Sequence, residues 1–583
     1  MIRLLNFTYL NGLLTLEGNP LLMNHSKNKL LATGLFLLGL TSASNAQQWG
    51  DYTLYSTGNS TTAYLIDTNN VNYHTWTGLS GTTAYSNYLL PGGVLLRTVD
   101  VTNNVFTGGG MAGRVQKVDW TGTILWDYTY STTQHCSHHD ICALPNGNVM
   151  LIAYELKSAS QVTAAGCTSN ITMWPDHVIE VQPTGTTTGT IVWEWHLWDH
   201  LCQDVDSGDG NYVTSVNDHP ELFDINWQPQ KEIWHMNGID YNPILDQIVL
   251  SAHNTDEFYV IDHSTTTAEA ASHSGGRSGR GGDFLYRWGN ADAYEENGTN
   301  FNVIHDAHWI PQGCPNAGYL VALNNKGISN TISCVDQVNP PYNGFNYSYT
   351  ANTAWLPAAY TLRRQCTGGT TNMGNSQQLP NGNMLICLAL SGTMYEIDPN
   401  GTTIWSKTAS NSVAQAFRYS ACQVSSTAPA IPTVSQNGNV LSSSAATTYQ
   451  WFMDGVLIAG ATQQAYTATQ SGTYVVQVTD SNGCWYSYSL LYDFTLTTDI
   501  SAFDINHNLT AYPNPTSGIL NLSGEILVNG DFTVDLYDAA GRLVYRSVNE
   551  KTLDLSGLDN GVYVLNIATE SAGIITRRIA IAK

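Results

Sequence analysis

The feature that most limits what this chain can fold into is a strand–turn–strand unit that recurs along its first two thirds. Its first part ends in an apolar residue followed by a polar one, then a turn, then a strand carrying tryptophan. Instances are Tyr64–Asp67 leading to Trp76, Val115–Asp119 to Trp126, Val178–Gln182 to Trp193 and Met394–Asp398 to Trp405, with Phe258–Asp262 as a fifth. A second part reads Leu-Pro-Asn/Gly-Gly followed by apolar residues, at Leu90–Leu96, Leu144–Ile152 and Leu379–Ile386. A Pro-Asn-Gly turn feeding an apolar run is a hairpin signal. Positions 67, 119, 182, 262 and 398 are separated by 52, 63, 80 and 136 residues, so the last gap fits two units, one of them degenerate near Tyr319–Asn324. Six units of short strands, each about 40–50 residues or more, predict the blades of a six-bladed β-propeller. The length beyond that minimum belongs to loops, where function usually sits. A β-sandwich is the competing architecture, and the repetition of the paired motif argues against it.

Composition agrees with an all-β chain. Charged residues make up 12 % of the 583, about half the usual ~25 %, while there are 16 Trp, 32 Tyr and 51 Gly. No long amphipathic helix is visible. The net charge of −24 argues against nucleic acid as a partner, which needs a basic footprint. Near the N-terminus, Lys27 and Lys29 precede an apolar run from Leu30 to Leu40, then Ser44, Asn45 and Ala46 before Gln47. That is the order of a secretory signal, so 1–46 is expected to be an N-terminal extension and signal peptide, with Met23 an alternative start. The run is shorter than the ~20 residues a bilayer needs, and no other segment is expected to span a membrane. Export permits disulfides among the ten cysteines. None lies in a C-x-x-C pair, and the spacing leaves the connectivity open.

Three domains are expected after the signal: a propeller at 47–425, an Ig-like β-sandwich at 428–497 and a small C-terminal β-sandwich at 508–583. The second has Tyr449–Phe452, a turn at Gly455 and an alternating strand Gly472–Val478, without the Cys-Trp-Cys spacing of antibody domains. The third opens with Tyr512-Pro513-Asn514-Pro515, then Gly518, Leu520-Asn521-Leu522, Val534–Asp538, Gly541–Val544 and Leu558–Tyr563. This order resembles the C-terminal sorting domain of the type IX secretion system. The resemblance implies that secretion machinery as a partner, and a secreted or cell-surface location in a Gram-negative bacterium.

Chemistry concentrates in histidine. Thirteen of the 16 lie between His135 and His308. The candidates among them lie in Ser137-His138-His139-Asp140, Trp234-His235-Met236-Asn237, Ser251-Ala252-His253-Asn254 and His305-Asp306-Ala307-His308, each near the start of a strand or in the loop before it. In a propeller such positions converge on the central channel. The spacing of His305 and His308 is not on a helix and no acidic loop accompanies it, so no metal site is expected. Four further motifs complete an ordered series: Trp193–His196, Asp218–Leu222, Gly281–Gly289 and Gln378–Asn383. Residues 47–425 thereby resemble the bacterial aryl-sulfate sulfotransferases. The resemblance implies a ping-pong transfer of a sulfuryl group from an aryl sulfate donor to a phenolic acceptor, with neither nucleotide sulfate donor nor cofactor. It implies His305 as the nucleophile, with His235 and His139 as catalytic partners and Asn237 and His138 as substrate-binding groups. Imidazole is neutral and nucleophilic at pH 7, which suits attack on sulfur. One departure is visible. The family's anion-binding arginine falls at His253, a weaker anion partner than a guanidinium. Arg277, Arg280 or Arg287 is then expected to supply the charge, Arg287 foremost, and Trp234 and Trp309 to stack on the aryl ring. The competing readings are a secreted carbohydrate- or protein-binding propeller without catalysis, and a metal- or quinone-dependent one.

Overall fold

The computed structural model describes residues 48–103, 105–496, 509–524, 527–528, 531–569 and 573–583. The expected signal peptide lies outside the described residues.

Six four-stranded antiparallel sheets occupy Tyr52 to Tyr419 in chain order. The innermost strands of sheets two to six are Thr83–Leu90, His135–Ala143, Met236–Asn242, Ile304–Trp309 and Asn375–Gln378. Each touches the next around a ring. The ring is closed by a strand from its far end. Ala416–Tyr419 pairs with Tyr52–Ser56, Tyr419 opposite Tyr52 and Phe417 opposite Leu54, and so becomes the innermost strand of the first sheet. We read these sheets as the six blades.

The repeat motif now has a physical explanation. Its acidic residue ends the third strand of a sheet and caps the turn into the fourth. Asp67 accepts from the Asn69 and Val71 amides, Asp119 from Thr121 and Thr123, and Asp398 from Asn400 and Thr402, all at 2.8–2.9 Å. Its tryptophan sits on the fourth strand and reaches the next sheet. The indole N–H donates from Trp76 to Asp119 O (2.9 Å), from Trp126 to Thr188 O (3.0 Å) and from Trp193 to Thr265 Oγ1 (3.1 Å). Each clasp buries a large ring and adds a hydrogen bond worth roughly 1 kcal/mol. The degenerate unit is corrected in position. Residues 320–324 lie in the second strand of the fifth sheet (Leu320–Ser329), and the third strand is Ile332–Val338.

After the ring come two antiparallel sheets, one of Val434–Asn437, Val440–Ser443 and Ala465–Thr467, the other built on Tyr449–Met453 and Gly472–Thr479. They share a core of Leu441, Trp451, Tyr474, Val476, Val478 and Phe494. A disulfide, Cys422–Cys484, ties this module to the helix that follows the ring, and the other eight cysteines are unpaired thiols. The Ig-like reading of the module remains our proposal. The tail forms a three-stranded and a four-stranded sheet over a core that includes Leu520, Val534, Leu536, Leu565 and Ile579. Among the described residues no helix is long and apolar enough to cross a membrane.

Candidate active site

The innermost strands do not run regularly. In the third sheet the pairing goes from Ser137↔Ala153 to Ile141↔Leu151, so three residues oppose one. In the fourth it jumps from Met236 to Gly238, and in the fifth from His305 to His308. These are β-bulges, which bend a strand and re-aim its side chains. Non-glycine residues at or beside them take positive φ: His139 (49°), His235 (51°) and Asp306 (59°). Such backbone is uncommon and clusters at functional sites.

The bulges bring together a row of five imidazoles. Ring centroids are 5.1 Å apart for His138–His139, 4.8 Å for His139–His235, 5.3 Å for His235–His253 and 5.4 Å for His253–His305. His138, His139 and His305 are buried, and His235 and His253 half-buried. Burial, with repulsion from neighbouring histidines, holds His138, His139 and His305 well below the usual imidazole range. His253 is held at about 4 by burial, by His235 and by Lys326. These four rings are therefore neutral at pH 7. Behind the row, His138 Nε2 lies 2.9 Å from Asp176, whose carboxyl burial pushes up to about 8 against the opposing pull of His235.

His305 has a defined tautomer. The Asn325 amide donates to Thr370 O (3.0 Å) and Met373 O (2.8 Å), which turns its oxygen toward His305 Nδ1 at 2.7 Å. Nδ1 thus carries the proton. Nε2 carries the lone pair and accepts from the Met373 amide at 3.0 Å. His235 is oriented by Glu232, 2.8 Å from its Nδ1, with the Tyr154 hydroxyl 3.0 Å from the same nitrogen. Burial opposes ionisation of Glu232, but the hydrogen bond and charge of His235 carry its carboxyl below the usual range. Three successive glycines lie over the row. A Cβ at Gly109 would meet the His235 ring at 3.0 Å, and one at Gly110 would collide with His139.

The other expected residues are placed as follows. Asn237 is fully buried; its side-chain amide donates one N–H to Ile304 O (2.7 Å) and its oxygen accepts from the Ser251 hydroxyl (2.7 Å), so it joins the fourth and fifth sheets. Arg287 is a correction. Its guanidinium is fully buried in an ion pair with Glu257 (2.5 Å) among Tyr259, Phe284 and Tyr294, and it contacts none of the five histidines. A buried guanidinium needs a paired carboxylate, and Glu257 provides it. Arg277 pairs with Asp493. Trp234 packs into the core against Phe223, and Trp309 bonds to Tyr342. The aromatic rings that do touch the row are Tyr154, stacked on His138 at 3.7 Å, and Tyr85, 5.0 Å from His139. Trp309 instead lines a cavity of about 330 Å³ formed by the later residues of the same inner strands, with Tyr88, Asp140, Asp240, His308 and Tyr488. Sequence reasoning missed Glu232, Lys326, Asn325 and Gly108–Gly110. Only the glycine triplet left a visible signal.

A closed ring of antiparallel sheets with bulged inner strands and a row of imidazoles defines a β-propeller protein with a histidine-lined site. The family profile described as arylsulfotransferase (ASST) matches residues 66–421, and the chain belongs to that family. The profile described as a secretion system C-terminal sorting domain matches residues 510–582, which marks the chain for type IX secretion to the cell surface or beyond. No curated protein matches the chain in sequence. Among solved structures, a protein of unknown function from Bacteroides caccae is similar at 11 % identity and TM-score 0.37, covering 63 % of this chain and 98 % of its own. A periplasmic gluconolactonase from Pseudomonas aeruginosa is similar at 10 % identity and TM-score 0.33, covering 76 % and 99 %. Likenesses this distant carry no argument about activity.

Proposed function

We propose that the protein transfers a sulfuryl group from an aryl sulfate ester to a phenol, through a covalent intermediate on His305 and without a nucleotide donor. The observation that carries this reading is the state of His305: neutral, with its proton fixed on Nδ1 by Asn325 and its lone pair on Nε2. Nε2 attacks sulfur as the S–O bond to the aryl group breaks, and the electron pair leaves with the phenoxide. The donor displaces the Met373 amide from Nε2, and that N–H then donates to a sulfuryl oxygen. His139, through its Nε2–H, and the remaining Asn237 N–H bind the other oxygens, and His138, set between His139 and Asp176, holds His139 in place. His235, with Glu232 stabilising positive charge on its ring, gives a proton to the departing phenoxide. In the second half-reaction the acceptor phenol attacks sulfur, the N–S bond breaks and the phenolic proton returns to His235. Tyr154 and Tyr85 flank the row and supply ring contacts for the aryl group.

The test is release of 4-nitrophenol from 4-nitrophenyl sulfate, with and without added phenol, together with intact-mass detection of an SO₃ adduct. Phenol-stimulated release and an adduct are expected in the wild type, with both abolished in His305→Ala. Glu232→Gln is expected to keep the adduct but slow turnover by roughly 10²-fold. A folded wild type with neither release nor adduct across a panel of sulfate esters would leave the non-catalytic binding propeller.

A further inference from the structure

A second histidine cluster lies at the outer edge of the ring, between the third and fourth sheets. We infer that Nδ1 of His200, Nδ1 of His273 and a carboxylate oxygen of Asp283 form a site for a divalent transition-metal ion. His200 ends the short turn Leu197–His200 that follows the outermost strand of the third sheet, and its ring is stacked on Trp195. Its Nε2 lies 2.8 Å from Ala270 O. A carbonyl only accepts, so Nε2 carries a proton and Nδ1 is turned toward Asp283 Oδ1, also at 2.8 Å. His273 directs its own Nδ1 at the same oxygen, again at 2.8 Å.

Two features make this a built site. Metal-bound histidines nearly always donate their other ring N–H to a carbonyl or carboxylate, which fixes the ring and leaves the ligating nitrogen bare. The Ala270 carbonyl does this for His200. With Nε2 engaged there, Nδ1 and the Asp283 carboxylate face each other directly, and a cation between them would take the place of the proton of that contact. The second feature is the close approach of Gly282. A Cβ there would fall 2.5 Å from His200 Nε2, so the backbone lies against the ring only because this residue is glycine. Trp195 holds the same glycine by its indole N–H, 2.7 Å from Gly282 O.

Two imidazoles and a carboxylate suit Zn²⁺, Ni²⁺ or Cu²⁺ better than Mg²⁺ or Ca²⁺. Bonds of about 2.0–2.1 Å in a tetrahedral set place donors roughly 3.3 Å apart, so loading widens each contact by about half an ångström. His273, 60 % exposed, accommodates that shift. Its ring also lines an open cleft with Trp198, Asp199, Tyr212 and Leu222, which gives water the remaining position. The bound ion would pin the loop 272–283 to the third sheet. That loop also carries Arg277, paired with Asp493 of the two-sheet module, so the ion would stiffen one of that module's anchors.

The test is calorimetric titration of chelator-treated full-length protein with Zn²⁺, alongside thermal unfolding. One equivalent bound with a rise in Tm is expected in the wild type and in His305→Ala. His273→Ala, a change at an exposed position, is expected to weaken binding at least tenfold and cancel the rise, as is Asp283→Asn. His219→Ala, which alters a His–carboxylate pair outside the site, is expected to leave both unchanged. Absence of stoichiometric binding to the wild type, or unchanged affinity in His273→Ala, would overturn the assignment.

Discussion

Position 253 holds a histidine where the family resemblance leads one to expect arginine, and the fold brings another cation nearby. Lys326, on the second strand of the fifth sheet, is close enough to repel a proton from His253. We read it as the charge that faces the sulfate. Lys326→Met is expected to raise KM for an aryl sulfate about tenfold, the cost of losing a partly exposed charge partner, with kcat changed much less. Steady-state kinetics check this, and an unmoved KM would place the anion's charge partner elsewhere. His253 was legible as a departure because its motif is local in sequence. Lys326 was not, because it reaches the site from a different sheet. Glu232 and Asn325 escaped for another reason: Glu232 stands three residues before His235 and Asn325 on the strand beside His305, each acts through a histidine, and neither belongs to a motif. Arg287 misled for the converse reason. It stands in a glycine-rich motif, but Glu257 had already neutralised it.

At the scale of elements, the outer half of each sheet was legible and the inner half was not. The aspartate-capped turn and the tryptophan strand repeat because in several sheets they close the outer turn and hold the neighbouring sheet. The fifth sheet hides this signal. Its fourth strand, Leu362–Gln365, has no tryptophan and follows a long insertion carrying the hairpin Tyr342–Asn343 and Asn346–Tyr347. The inner strands are buried on both faces, so the alternation that would reveal a bulge is absent. Their packing is tight enough to test. A Cβ on Gly238 would meet the Asp306 backbone at 3.1 Å and Ser251 Oγ at 2.5 Å. Main chain cannot rotate away, so Gly238→Ala must part the inner strands of the fourth and fifth sheets. It is expected to lower the unfolding free energy by about 1–3 kcal/mol in urea denaturation. Gly210→Ala, with open space around it, is expected to be nearly neutral.

Over the whole molecule, the histidines pull stability in two directions. His138, His139 and His305 sit well below 6.5, His253 at about 4 and His177 at about 3, chiefly through burial. The unfolded chain takes up protons that these rings refuse, so their contribution is lost as pH falls below about 6.5. His308 and His263 behave oppositely. Burial would depress both, but Asp306 lifts the first, and Asp246 with Glu180 the second, to about 9. Their contribution is complete below about 6.5 and is lost as pH climbs through 9. A Tm maximum near pH 6.5 is expected, and a maximum at pH 8 or above would contradict it. The closing strand has a consequence of another kind, one of timing. Ala416–Tyr419 is the innermost strand of the first sheet, so during synthesis no ring exists until Tyr419 has emerged. Until then the first sheet offers a bare edge at Tyr52–Ser56. The sorting tail, whose strands begin at Thr510, emerges later still. The order of residues along the chain thus ensures that the export address is displayed only once every strand needed to shut the ring is already present.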